Sequence, residues 1–339
     1  MSKNREVNIK VIAEKAGVSV ATVSRVLNGL NGVRDKTRKK ILKVSKELNY
    51  QINVGARNLK LRKSFFIGIV VGKVFSRFYS NILESIEAIA REHKYNVILT
   101  HHNDDAKEEL ECLKIMNSLR VLGIILLSTN ANMEYVNFLL SSGTKIVLLD
   151  RLIDGVQCDA VLVDNKKGAY DAVKHLIECG YRKIGLINGS TNITSGKERL
   201  EGYMQALNDS DIKIDKRLIK NRNFTKESGL VLSNELIKGS IKPDAIFCTN
   251  LDLTLSTLIT LKEEKIQIPD DIGFIGFDDS DWLNIFKPPI SVVSYPIERF
   301  GRTAADMLMK GLEREERGEP VTISLSTNLI IRESTKKVK

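Results

Sequence analysis

From residue 65 to about residue 280 the sequence alternates short apolar runs with amphipathic stretches, and this alternation constrains the fold more than any other feature. The runs FFIGIVV (65–71), YNVILTHH (95–102), VLGIILLS (121–128), KIVLLD (145–150), KIGLING (183–189), AIFCTN (245–250) and IGFIGFD (272–278) have strand length and near-continuous hydrophobicity. That is the pattern of parallel strands buried on both faces. Helices are predicted between them, for example at 79–92 with Ile82, Ile86 and Ile89 on one side, and at 168–179 with Ala172, Leu176 and Cys179. Strand and helix in alternation specify a doubly wound α/β arrangement. The pattern also restarts, because RKSFFIGIVV at 62–71 is echoed by YRKIGLING at 181–189. Two similar lobes are expected, enclosing a cleft walled by the loops beyond the carboxyl ends of their strands.

The segment ahead of this body has another character. Residues 1–63 hold sixteen Lys and Arg against four Asp and Glu, so the chain's net charge of +10 resides entirely there and the remainder is slightly acidic. A small basic module implies a polyanionic partner. Within residues 9–48 three helical patterns follow one another. Ile9, Ile12, Ala13 and Ala16 form the first apolar face, and Gly17 supplies a residue tolerant of positive φ. Ser19 stands where it caps a second helix that turns Val23, Val26 and Leu27 inward. A third helix from Asp35 to Leu48 places Ile41, Val44 and Leu48 at core spacing, with Arg38, Lys39, Lys40, Lys43 and Lys46 spread over its exposed sides. This is a helix-turn-helix with a supporting third helix. If the second helix enters a major groove, Ser19, Val20, Ala21, Thr22, Ser24 and Arg25 reach the DNA. Hydroxyls suit phosphate oxygens, and Arg25 suits a bidentate contact to guanine.

The run IKVIAEKAGVSVATVSRVLNG, continued by VRDKTRKKILKVSKELNYQINVGARNLK, resembles the headpiece of the lac-repressor (LacI/GalR) transcription factors, and the likeness extends through nearly the whole chain. The resemblance implies an all-α helix-turn-helix headpiece at 1–51, a hinge helix and linker at 52–63, and a periplasmic-binding-protein-like α/β core at 64–339. The core's first lobe is expected at about 64–160 and 291–320, and its second at about 161–290 and 321–339. Val20, Ala21 and Arg25 would read bases, while Ser19, Thr22, Ser24 and Asn28 would hold the backbone. The hinge would begin at Asn53, lay Ala56 and Arg57 along the minor groove, and wedge Leu59 into the operator centre. Two departures stand out: Ile52 replaces the family's proline, and Gly55 replaces a better helix former at a cost of about 1 kcal/mol.

For the body, the strand ends themselves offer Asp150 with Arg151, Asn250 and Asp278. The resemblance adds Phe78 and Tyr79 in the loop after the first strand, Arg199 as a charged clamp and Phe224 as an aromatic platform, and it gives Asn250 and Asp278 the hydroxyls of a ligand. Such a set suits a sugar or sugar acid, with polar groups for hydroxyls and a flat apolar wall for C–H faces. Arg151 and Arg199 together tilt the expectation towards an acidic sugar.

The function implied is a homodimeric repressor of carbohydrate genes that binds a pseudo-palindromic double-stranded DNA operator and responds to a small effector. The alternative is a regulator whose corepressor is a phosphorylated carrier protein. An enzymatic body is disfavoured, since no GxxxxGK[ST], GxSxG or HExxH motif is present. No cofactor and no metal are expected; His101 and His102 read as an exposed pair without a third ligand. Cys112, Cys158, Cys179 and Cys248 lack ligand spacing and read as buried reduced thiols of a cytoplasmic protein, and no apolar run is long enough for a signal peptide or a membrane span.

Overall fold

The computed structural model describes residues 8–27, 30–48, 50, 65–72, 77–314 and 318–336. It divides into two compact units, Met1–Ser64 and Phe65–Lys339.

The first unit is built from α1 (Ile9–Ala16), α2 (Val20–Leu27) and α3 (Asp35–Glu47). Asn8 caps α1, its side-chain oxygen accepting from the amides of Lys10 at 3.0 Å and Val11 at 3.3 Å. Gly17 ends the helix at φ +65°, a left-handed conformation that glycine adopts without penalty. Two residues later Ser19 Oγ accepts from Thr22 N at 3.1 Å and starts α2. Ile12, Ala13, Ala16, Val23, Val26 and Ile41 form a small closed core. Arg38 fastens the loop before α3 by donating to Leu30 O at 2.7 Å.

In the second unit the strands are β1 (Phe66–Val71), β2 (Asn96–His101), β3 (Gly123–Leu126), β4 (Lys145–Leu149), β5 (Asp159–Val163), β6 (Ile184–Asn188), β7 (Ile219–Asn221), β8 (Ala245–Cys248), β9 (Gly273–Phe277), β10 (Ser291–Ser294), β11 (Thr322–Leu325) and β12 (Asn328–Ile330). The helices are α4 (Arg77–Glu92), α5 (Ala106–Ser118), α6 (Met133–Ser141), α7 (Asn165–Glu178), α8 (Thr194–Asn208), α9 (Lys226–Ile237), α10 (Leu251–Glu263), α11 (Asp281–Ile285) and α12 (Ile297–Glu313). They build two six-stranded sheets in the same order, β11-β5-β4-β3-β1-β2 and β12-β10-β9-β8-β6-β7. The restart seen in the sequence is thus a repeat of topology, β6 playing in the second sheet the part of β1 in the first. Every pairing is parallel except β10 with β12.

The chain passes between the lobes after β5, after β10 and between β11 and β12. These crossings correct the expected lobe limits. Residues 291–294 belong to the second sheet and residues 322–325 to the first, because β10 carries the buried face SVVS beside β9, and α12 and β11 return to the first lobe, β11 beside β5. There α12 packs on α4 at glycine distance, since a Cβ on Gly301 would lie 2.7 Å from Ile82 O. β2 also departs from expectation: as the sheet's edge it is partly exposed rather than buried on both faces. His102 is fully buried, not exposed, with Nε2 2.9 Å from Leu127 O. Of the four free thiols Cys179 is only half-buried.

Candidate functional site

Two aspartates dominate the ends of the strands that face each other across the lobes. Asp150 follows β4 and Asp278 follows β9, with φ of +65° and +73°. Left-handed backbone at a side chain other than glycine is strained and marks a position worth holding. Both are 7% exposed, and Oδ1 of each has no hydrogen bond. Burial pushes the Asp278 carboxyl up to about 6; Arg199 opposes that shift, the charge of Asp150 adds to it, and Tyr295 and the Leu251 amide oppose it. The two carboxylates therefore share one electrostatic environment.

Arg199, on α8 and 4% exposed, is near enough for its charge to act on Asp278. Its Nε donates to Asn165 Oδ1 at 2.8 Å and its Nη1 to Thr249 O. The guanidinium lies 3.8 Å from the ring centroid of Phe277 and 5.8 Å from that of Phe224. Nη2 has no acceptor among the described residues, so its N–H donors remain for a ligand. Asn165 is itself fully buried at the start of α7, and its amide nitrogen donates to Glu198 Oε2 at 3.2 Å. Burial raises the Glu198 carboxyl above its ordinary range.

Arg151 does not serve as a free cation. Its Nη1 donates to Asp104 Oδ1 at 2.7 Å and to Ser128 O at 3.2 Å, and Nε sits 3.7 Å from Asp150 Oδ2. With two carboxylates about it, its charge is already matched, which leaves Arg199 alone of the two cations on which an acidic ligand was expected. Asn250 caps α10, its side-chain oxygen accepting from Leu253 N at 2.8 Å. Phe224 lies flat on β6's end: a Cβ on Gly189 would come within 2.2 Å of its ring. Phe78 and Tyr79 fall in the first turn of α4 rather than in a loop, and their side chains lie outside the described residues.

Between the lobes a cleft of roughly 200 Å³ is lined by Asp104, Thr129 and Arg151 on one side and by Ser190, Asn192, Asn223 and Phe224 on the other. A further recess of roughly 100 Å³, lined by Asn81 and Ile297 from the first lobe and Leu251, Asp278 and Ser280 from the second, adjoins Asp278. Two hydrogen bonds cross the rim: Asn130 Nδ2 donates to Asn192 O at 3.1 Å, and Leu152 N to Thr194 Oγ1 at 2.9 Å. Asn130 is held in turn by Asp154, whose amide donates to its Oδ1 at 2.9 Å. Sequence reasoning missed Asp104, Asn130, Asn165, Asn192 and Tyr295. Asn165 and Tyr295 follow β5 and β10, two strands that were not recognised. Reading DAVLV and SVVS as strands would have exposed both residues as strand-end candidates.

On the headpiece, Val20, Ala21 and Arg25 are exposed on α2, with Val20 at 40%. Thr22 and Ser24 are half-buried, and the Ser19 hydroxyl bonds the Thr22 hydroxyl at 2.8 Å besides capping the helix. Asn28, Asn53, Ala56, Arg57 and Leu59 lie outside the described residues. Among the described residues no cluster of His, Cys, Asp and Glu could hold a metal ion, and no helix is long and apolar enough to cross a membrane.

Residues 8–53 match the family model of bacterial regulatory proteins of the lacI family, and residues 173–335 match that of a periplasmic binding protein-like domain. The HTH-type transcriptional regulator RegA of Clostridium saccharobutylicum is 34% identical over 330 residues, covering 97% of this chain and 99% of its own. The catabolite control protein A of Priestia megaterium is 31% identical over 332 residues, covering 97% of this chain and 99% of its own. Among solved structures, a complex of the transcriptional regulator CelR with cellobiose superposes with a TM-score of 0.74 at 30% identity, covering 97% of this chain and all of that one. A helix-turn-helix unit ahead of two topologically repeated lobes, with likeness to these regulators along almost the full length, shows that the chain belongs to the lacI family of bacterial regulatory proteins.

Proposed function

We propose that the protein is a homodimeric transcriptional repressor, not an enzyme, whose operator affinity is set by a neutral, polyhydroxylated sugar held between the lobes. One observation carries the choice of ligand: among the described residues one buried carboxylate oxygen of Asp150 and one of Asp278 stand without hydrogen bonds, and Arg199 lies over Phe224 and Phe277, while Arg151 is already neutralised. Carboxylate acceptors and guanidinium donors suit hydroxyls; with Asp104 and Asp150 outnumbering Arg151, and Asp278 beside them, an acidic sugar would meet an excess of like charge. The cellobiose complex of CelR supports the same class of ligand.

Dimerisation is supported by the exposed edge of the first sheet, where Leu99 on β2 is 39% exposed, and by Ile115 on α5 and Leu119 just beyond it, 46% and 47% exposed on the sheet's other face. Pairing two headpieces across a two-fold axis suits a pseudo-palindromic operator, Arg25 of each reading one half-site. A gel shift on the gene's own upstream DNA, with cellobiose, glucose and galacturonate as probes, tests the reading. A neutral sugar should change operator affinity by about 5- to 150-fold, and galacturonate should leave it unchanged. Response to galacturonate alone would overturn the ligand assignment, and response only to a phosphorylated carrier protein would favour protein corepression.

A further inference from the structure

The described surface of the headpiece has a face that neither groove reading nor effector binding uses. We propose that the lysines of α3 form a second, sequence-independent DNA-binding face, which holds the backbone of a duplex segment other than the one entered by α2. The proposal rests on the DNA-binding reading of the headpiece.

The residues that α3 turns inward are Ile41 and Ser45, with Val44 and Leu48 packed beside them. At 3.6 residues per turn, Lys36, Lys39, Lys43 and Lys46 fall on the opposite side within an arc of about 80°. All four are exposed. The expected scatter of cations over α3 is therefore, for these four, a single row. Since α3 packs its inward side on both α1 and α2, the row points away from the recognition helix and cannot enter the same groove.

The row also works against its own helix. Lys36 with Lys39, Lys39 with Lys43, and Lys43 with Lys46 are like charges at spacings of three or four residues, each of which disfavours helix. Among the described residues only Lys43 has an acid within reach, Glu47 at 4.0 Å, and both are largely exposed. Elsewhere the molecule relieves such faces: Arg91 pairs with Glu87 at 2.6 Å, Lys114 with Glu111 at 2.7 Å and Lys167 with Asp171 at 2.7 Å. A purely solvated face would tolerate the same relief on α3. An unrelieved row fits a polyanion that supplies the countercharge.

Its dimensions suit duplex DNA. Lys36 to Lys46 spans about 15 Å of helix axis, enough to face about four phosphates of one strand. Lysine is a point charge on a flexible stem, suited to following a backbone rather than reading base edges. Once α2 occupies an operator, neighbouring duplex is the polyanion present at the highest local concentration.

The test uses full-length protein saturated with an immobilised operator fragment and then offered a labelled random-sequence duplex. Wild type should retain the random duplex, and K39Q/K43Q/K46Q should retain at least about tenfold less, with operator-over-random discrimination within about twofold. Its melting temperature should be equal or higher, because repelling pairs are gone. K39R/K43R/K46R should behave as wild type. Equal retention by wild type and the glutamine variant, or none by a wild type that holds operator, overturns the second face. A wild type with no operator preference overturns the headpiece reading, and this proposal with it.

Discussion

Asp150 and Asp278 are the same residue of the same repeat. Each follows the fourth strand of its lobe with left-handed φ, and each donates its amide to the next strand, Asp150 to Val161 O and Asp278 to Val293 O, at 2.9 Å in both cases. The cleft thus inherits one carboxylate from each lobe, and the charge of Asp150 adds to the burial that disfavours ionised Asp278.

Asp278 carries the measurable consequence. Its folded-state pKa of about 6 lies above the ordinary 3.8, so the protonated group's contribution to stability is fully present below about pH 4 and lost as pH rises through about 6. Asp278→Asn should therefore stabilise the ligand-free protein at pH 7.5 by about 1–3 kcal/mol, an advantage that vanishes near pH 4. Thermal melts across that range check the sign. The same variant should lose the response to sugar, since the neutral amide no longer accepts two hydroxyls.

Arg199→Lys separates clamp from scaffold. An ammonium cannot bond Asn165 and Thr249 together while stacking on Phe277. Leaving buried Asn165 short of a partner should destabilise the body by about 1–3 kcal/mol in urea melts. Operator affinity without sugar should stay within about threefold of wild type, and the sugar-dependent change should disappear. Equal loss of both would mark Arg199 as a structural residue only.

The strands and helices that the sequence revealed are those with strong local signals. Seven apolar runs, the glycine turn at Gly17 and the cap at Ser19 all state their structure within a few residues. β7, β11 and β12 were illegible because each is three or four residues long and partly exposed, so its pairing is decided by the neighbouring strand. The same limit explains the lobe boundaries, which depend on which sheet β10 and β11 join. The residues proposed to touch a ligand were easier to see than those that adjust them: Asp278 ends a visible strand, whereas the neutralisation of Arg151 by Asp104 spans 47 residues and has no local signature.

Leu119→Glu addresses the exposed edge of the first sheet. A carboxylate in place of Leu119, close in sequence to exposed Ile115, would be desolvated where this face meets the partner's copy, which is strongly unfavourable. Sedimentation should show monomer at concentrations where wild type is a dimer. Operator affinity should fall at least about tenfold, because one headpiece covers only one half-site, while thermal stability of the body is unchanged within about 0.5 kcal/mol.

Asn130→Ala tests the rim. The Asn130 side chain ties Asp154 in its own lobe to Asn192 in the other, and Leu152 N crosses to Thr194 one step away. Bonds of this kind contribute about 0.5–1.5 kcal/mol each, comparable to the 1–3 kcal/mol that couples two sites in a regulated protein. Such a latch biases closure without locking it. Removing the Asn130 side chain should raise hydrogen exchange at the Leu152 amide by about two- to tenfold and speed sugar dissociation by a similar factor, with the folded body intact. Unchanged exchange at Leu152 would mean that the lobes are held together by their crossing strands alone, and that closure is governed at the hinge rather than at the rim.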